Sequence, residues 1–390
     1  MIMQINSTYL IAITLVQTFF IGSCTQEENL TEGQVLTTER STEDNEAQHQ
    51  SSTVKFIDEF VLPDGQEFGN TIVGGLSGID YENGKWVVIS DDSKRPRYYT
   101  LNVAYDIDGF SSLEITSVIT LKDTLGRDFG LETVDSESIR IDGDKFVWSS
   151  EGNIGAKINP FVRTSSLEGD FIKAMSLPLK YSASEEEENG PRQNGVFEGL
   201  SLSSDKKGYW VSMELPLKED GEPPTTNLGA PIRLAYIDKV TGEFGKEFAY
   251  PLDPVARPAI NGFSFELNGL VELLEYEENK FLALERSFSA GYTDGGNIVK
   301  IYDVDARRAT DVSAITTLKE ADITMVKKKL LLDFDTLRPQ LTNGIVDNIE
   351  GITFGPNFSN GNKSIVVVSD NNFSRLYKQL NQFILLELRE

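Results

Sequence analysis

LSGIDYENGKWVVISDD at residues 76–92 and SESIRIDGDKFVWSSEG at 136–152 are two copies of one pattern, and that pattern decides the fold. In each copy a short strand carrying Ile runs into a tight polar turn, Glu-Asn-Gly or Asp-Gly-Asp. A β-branched or aromatic strand follows and stops on a polar or acidic pair. Apolar runs joined by such turn residues read as β-hairpins. The pattern returns at FEGLSLSSDKKGYWVSME (197–214), VELLEYEENKFLALER (271–286) and IEGITF…KSIVVVSDNN (349–372).

Two columns of residues recur across these five copies. Ser77, Glu137, Glu198, Glu272 and Glu350 stand two residues before the first apolar anchor. Asp91, Glu151, Glu214, Arg286 and Asp370 close the second strand. The first column is spaced by 60, 61, 74 and 78 residues, which suits one four-stranded blade per copy plus insertions. Further strand-like runs follow the copies, as at 233–253 and 298–312. An all-β propeller of four-stranded blades is therefore predicted, with five blades counted and six if an insertion hides a degenerate one. After the last copy only QFILLEL (382–388) reads as a later strand. VKFIDEFVLP (54–63) is expected to complete that blade, so pairing of N- and C-terminal strands closes the ring. A pair of β-sandwiches is the alternative, but it leaves the even spacing unexplained. Trp86, Trp148 and Trp210 fall in second strands and read as blade-packing aromatics.

Outside the repeats, LIAITLVQTFFIG (10–22) is uncharged, too short to span a bilayer and suited to a signal-peptide core. Gly22-Ser23 before Cys24 resembles the bacterial lipobox, which implies lipidation of Cys24, although no Lys or Arg precedes the apolar run. An ordinary secretory signal with an incidental cysteine is the other reading. Residues 24–52 are rich in Glu, Thr, Gln and Ser and read as a flexible acidic tether. The expected organisation is thus signal peptide 1–23, tether 24–52 and propeller 53–390. An exported lipoprotein is expected, held on a membrane by lipid at Cys24. The acidic start of the tether resembles surface-export tethers of Gram-negative envelope lipoproteins, pointing to the outer membrane or cell surface.

The single cysteine and single histidine, Cys24 and His49, both precede the predicted body. A Cys nucleophile, a Cys/His metal site and a Ser-His-Asp triad are therefore excluded there. Gly75-Leu76-Ser77-Gly78 also lacks the spacing of a nucleophile elbow. The formal charge of −25 argues against nucleic acid as partner. It disfavours direct capture of a phosphorylated substrate unless a cation intervenes.

Around a propeller axis, a column becomes a ring. Two carboxylates about 4 Å apart repel by about 4 kcal/mol at an effective dielectric near 20. A ring of them needs protons, basic partners or a metal. Oxygen-only donors point to a hard ion, Ca²⁺ before Mg²⁺. The candidate metal ligands are Glu137, Glu151, Glu198, Glu214, Glu350 and Asp370. The same acids could instead cap turns.

The stretches GLSGID (75–80), ESIRI (137–141), PRQNGVFEGLSLS (191–203), LALERSF (282–288), DNIEGITFGP (347–356) and VVSDNNFS (367–374) carry a further signal. Through them the body resembles the bacterial "esterase-like activity of phytase" family of phytase-like domain proteins. The resemblance covers nearly all of 54–390 and implies a propeller with phosphoester or ester hydrolase activity on a small phosphorylated substrate. For that chemistry the candidate catalytic residues are Glu198 and Glu285, with Arg192 and Arg286 as phosphate clamps. A guanidinium fork matches phosphate oxygens bidentately. Arg286 could equally neutralise neighbouring acids, and Glu285 could be its salt-bridge partner. The other expectation for the chain is a non-catalytic, calcium-stabilised propeller that binds a glycan, protein or mineral.

Overall fold

The computed structural model describes residues 52–183, 188–374 and 379–389. The signal-peptide and tether readings, with Cys24 and His49, lie outside the described residues.

Five antiparallel four-stranded sheets form the body. Their innermost strands are Leu76–Glu82, Ser136–Asp142, Phe197–Leu202, Glu266–Glu277 and Asn348–Phe354. Each packs beside the innermost strands of the neighbouring blades, the fifth against the first, so the five enclose a central channel. Local sequence explains the hairpins. In blade one, Asn83 (φ 51°) and Gly84 (φ 84°) both take the left-handed conformation that a two-residue turn of matching twist requires.

The apolar core lies mainly between blades. Trp86, Leu76 and Val88 of blade one pack with Val366, Val368 and Phe383 of blade five. Val87, Ile89 and Tyr98 of blade one meet Phe146 and Trp148 of blade two. Leu282 and Val299 of blade four meet Ile352, Ile365 and Ile384 of blade five. The three tryptophans are buried as read from sequence.

Thr53–Val61 pairs antiparallel with Gln382–Arg389 and becomes the outermost strand of blade five. The predicted ring closure is thus observed, and the sandwich alternative falls. Deleting residues up to Val61 should expose the edge of Gln382–Arg389 and lower the melting temperature by roughly 5 °C or more, at about 2–4 °C per kcal/mol. An unchanged thermal transition in the truncated chain would show that closure is energetically idle.

A carboxylate ring at the propeller channel

Every innermost strand carries one extra residue at the same level, a β-bulge that breaks pairing with the second strand. Bulges re-aim side chains. By register the bulged positions are Ser77, Glu137, Glu198, Val271 and Glu350, which corrects one sequence assignment. Glu272 does not share the ring level. It lies one residue further along, where the other blades have Gly78, Ser138, Gly199 and Gly351. That layer is otherwise small because strands nearly touch there: a Cβ on Gly199 would come 2.9 Å from the Glu272 Cα.

At the bulge level the acids converge. Glu137, Glu151, Glu198, Glu214, Glu350 and Asp370 are all buried. Oxygens of Asp135, Glu137 and Glu151 lie within 4.8 Å of one another, and so do oxygens of Glu151, Glu198 and Glu214. Asp91 joins the ring beside Asp370 and Glu350. Gly269 makes room for Glu214, since a Cβ there would stand 2.4 Å from the Glu214 Cγ.

Arg286 is the one basic side chain paired with these acids among the described residues. It reaches Glu214 at 3.3 Å and Glu350 at 3.5 Å, and donates to the Asn348 side-chain oxygen at 2.5 Å. Asn348 in turn donates to Glu350 at 2.8 Å and Asp370 at 3.4 Å. This neutralises one arc of the ring. The opposite arc stays bare: no hydrogen-bond donor reaches the carboxylates of Glu137 or Glu198 among the described residues. Glu151 accepts from the Val196 amide, and a buried Asp91 Oδ1 and the Arg286 Nε are without partners.

Such crowding away from water disfavours charge. Burial first, then repulsion by neighbouring acids, pushes Glu151 up to about 8 and drives Asp91, Glu137 and Glu198 well above the carboxylate range. Burial raises Glu350 to about 8 although Arg286 opposes it, and Glu214 to about 7 against the same opposition. Burial also takes Asp370 and Asp135 to about 6.

Two candidates from sequence lie elsewhere. Glu285 and Arg286 are neighbours on one strand, so their side chains leave on opposite faces. Glu285 accepts from the Tyr250 hydroxyl at 2.6 Å and from Asn268 at 3.0 Å, and pairs with Lys328. Arg192 donates to the carbonyls of Pro216 at 3.3 Å and Gly221 at 2.7 Å. Neither touches the ring.

Sequence reading missed Asp135 and Asn348. Both immediately precede the anchor opposite the second strand's end, Ser136↔Ser150 and Ile349↔Ser369. The equivalent residues in the other three copies are Gly75, Val196 and Gly269, so no recurring column marks the position. It also missed Arg140, buried beneath the ring. Arg140 pairs with Glu272 at 2.8 Å and donates to the carbonyls of Leu200 at 2.6 Å, Ile79 at 2.5 Å and Leu273 at 3.3 Å. Glu272 also accepts from Ser138 at 2.6 Å and the Leu200 amide at 2.7 Å. One ion pair thus ties the innermost strands of blades one to four.

The family model for phytase-like proteins, described as "Esterase-like activity of phytase", matches residues 71–373. The chain belongs to the phytase-like family. The match spans all five ring-bearing hairpins of this phytase-like body. No curated protein matches the chain. Solved structures similar to it include a xylan β-1,4-xylosidase from Bacillus halodurans C-125, with 10% identity and a TM-score of 0.44, over 82% of this chain and 54% of that one. This chain therefore spans about half of the xylosidase's length. A thermostable family-43 glycoside hydrolase shares 9% identity with a TM-score of 0.43, over 82% and 94% of the two chains. The catalytic domain of a Coprinopsis cinerea GH62 α-L-arabinofuranosidase shares 10% identity with a TM-score of 0.41, over 86% and 96%. Likenesses this distant carry no argument about chemistry.

Proposed function

We propose that this phytase-like propeller is a calcium-dependent phosphoester hydrolase working at the carboxylate ring. The observation that carries the reading is the bare arc: buried, mutually repelling carboxylates, two without donors and with one arginine in contact with the ring among the described residues. Asp135, Glu137, Glu151, Glu198 and Glu214 would hold the cation, and an all-oxygen donor set of this charge suits a hard ion. When bound, such a cation polarises a phosphoryl oxygen and acidifies a coordinated water. The chain's own groups do the rest. Arg286 keeps Glu214 and Glu350 oriented through its contacts with both. Glu350, whose carboxyl sits near neutral pH and accepts from Asn348, is placed to take up and return a proton.

The test is a panel of phosphoesters, inositol phosphates included, assayed with calcium and then with chelator. Phosphate release only with calcium is expected, falling about ten- to a hundredfold in a Glu198→Gln protein of unchanged fold. Turnover that persists in chelator sinks the proposal. The depth of the ring favours a second reading, since every one of the six acids read from sequence is less than a tenth exposed. Under it the cation is structural, and calcium raises the melting temperature with no turnover of any ester. The proposal also includes export and lipidation at Cys24. Detergent-phase partitioning that survives Cys24→Ala would remove that part.

A further inference from the structure

The innermost strands have a second end, away from the carboxylate ring, and there they surround a cavity of about 410 Å³. That volume lies within the range of small-ligand sites. Arg140 forms part of its lining, and the Arg140–Glu272 pair stands between it and the ring.

Three aromatic rings from three blades line this cavity: Tyr81, Tyr276 and Phe354. Each is half-buried and packs in part against an inter-blade core, Tyr81 on one cluster and Tyr276 and Phe354 on another. The charged groups of the lining balance, three basic (Arg140, Lys206, Lys363) against three acidic (Asp80, Glu82, Glu275). They are also engaged. Lys206 pairs with Glu82 at 2.9 Å, Asp80 accepts from Thr353 at 3.0 Å, and Glu275 accepts from the amides of Ser204 at 2.6 Å and Asn279 at 2.7 Å. What remains uncommitted is neutral. The Tyr81 hydroxyl, the Ser204 hydroxyl and the Asn357 side-chain amide make no hydrogen bond among the described residues.

We propose that this mouth binds a neutral saccharide, independently of any cation in the ring. Aromatic faces offer a flat apolar surface for the C–H face of a sugar ring. Neutral hydroxyl and amide groups exchange hydrogen bonds with sugar hydroxyls without having to break an ion pair. An anion would find each cation already partnered, and a purely apolar ligand would leave the three polar groups dehydrated and unpaired, a penalty of about 1–3 kcal/mol each.

The experiment is titration calorimetry of the full chain with neutral trisaccharides of xylose, glucose, mannose and galactose, and with inorganic phosphate, each with calcium and with chelator. At least one trisaccharide should bind saturably at one site. Tyr81→Phe and Asn357→Ala, which remove one uncommitted group each without opening the core, should weaken it roughly three- to tenfold. Tyr276→Phe should retain binding and Glu198→Gln should leave it unchanged. A flat response to all four sugars up to about 10 mM, weaker than any dissociation constant worth about 3 kcal/mol, overturns the inference. So does sugar binding that ignores both Tyr81→Phe and Asn357→Ala, or phosphate competing it away. Because Glu198→Gln disables the ring and spares this mouth, failure here and failure of the hydrolase reading are separately visible.

Discussion

The cation-free protein should lose stability as pH rises from about 5 to 8, and calcium should restore it. The sign follows from linkage. Ring carboxyls whose folded pKa lies above the unfolded value of 4.5 or 3.8 keep protons that the unfolded chain has released. Unfolding stability then falls with pH across the interval between the two values and levels off above the upper one. Glu151 and Glu350, both near 8, set the top of the window, and Asp135 and Asp370, near 6, empty first.

Carboxyls held low elsewhere act below this range. Arg307 keeps Asp305 near 2, so its contribution is lost only in acid. The chain's one histidine, His49, lies outside the described residues. A loss of about 3 kcal/mol over the window corresponds to roughly 6–12 °C in melting temperature. Saturating calcium at a hundred times its dissociation constant returns about 2.7 kcal/mol. The calcium-induced shift should therefore grow with pH, small at pH 5 and largest at pH 8, and vanish in Glu198→Gln. Glu272, raised to about 7 by burial although Arg140 opposes it, titrates in the same window but beneath the ring, so a calcium-insensitive remainder should persist. A calcium shift that survives Glu198→Gln would falsify the assignment of the bare arc.

The second large effect concerns the ion pair under the ring. Arg140→Met should cost about 3–5 kcal/mol in urea unfolding, because it strands a fully buried Glu272 and frees three carbonyls at once. Arg140→Met combined with Glu272→Leu should recover much of that loss, since replacing both members of a buried pair by apolar groups is often near neutral. A double variant no more stable than the single one would mean that the carbonyl contacts, and not the charge, dominate.

The propeller was legible because its repeats are evenly spaced and each hairpin keeps its own turn chemistry. The closing strand could be read too, as an orphan run at one end matched to a deficit at the other. Within the site, the first column holds wherever the apolar anchor is unambiguous, as with Ile139, Leu200 and Ile352. It slipped by one at Glu272, because Leu273 and Leu274 both fit as anchor and only pairing register separates them. A shift of one residue reverses a strand side chain's direction. The same parity takes Glu285 away from the ring while Arg286 enters it. Arg192 fits a phosphate clamp by its guanidinium alone, and charge does not reveal that two backbone carbonyls claim it. Asp135 and Asn348 lie just outside the columns, and Arg140 acts through contacts with blades far apart in sequence, which one hairpin's pattern does not encode.

The clasp between Thr53–Val61 and Gln382–Arg389 has a consequence for how the molecule is made. Its two halves are the earliest and the latest pieces of the body to leave a ribosome. Until the last eight-residue strand emerges, the first one has no mate and blade one has no neighbour on its far side. Burial of that seam thus waits on the complete polypeptide, and an interrupted chain is left as an open arc with adhesive ends that quality control can recognise.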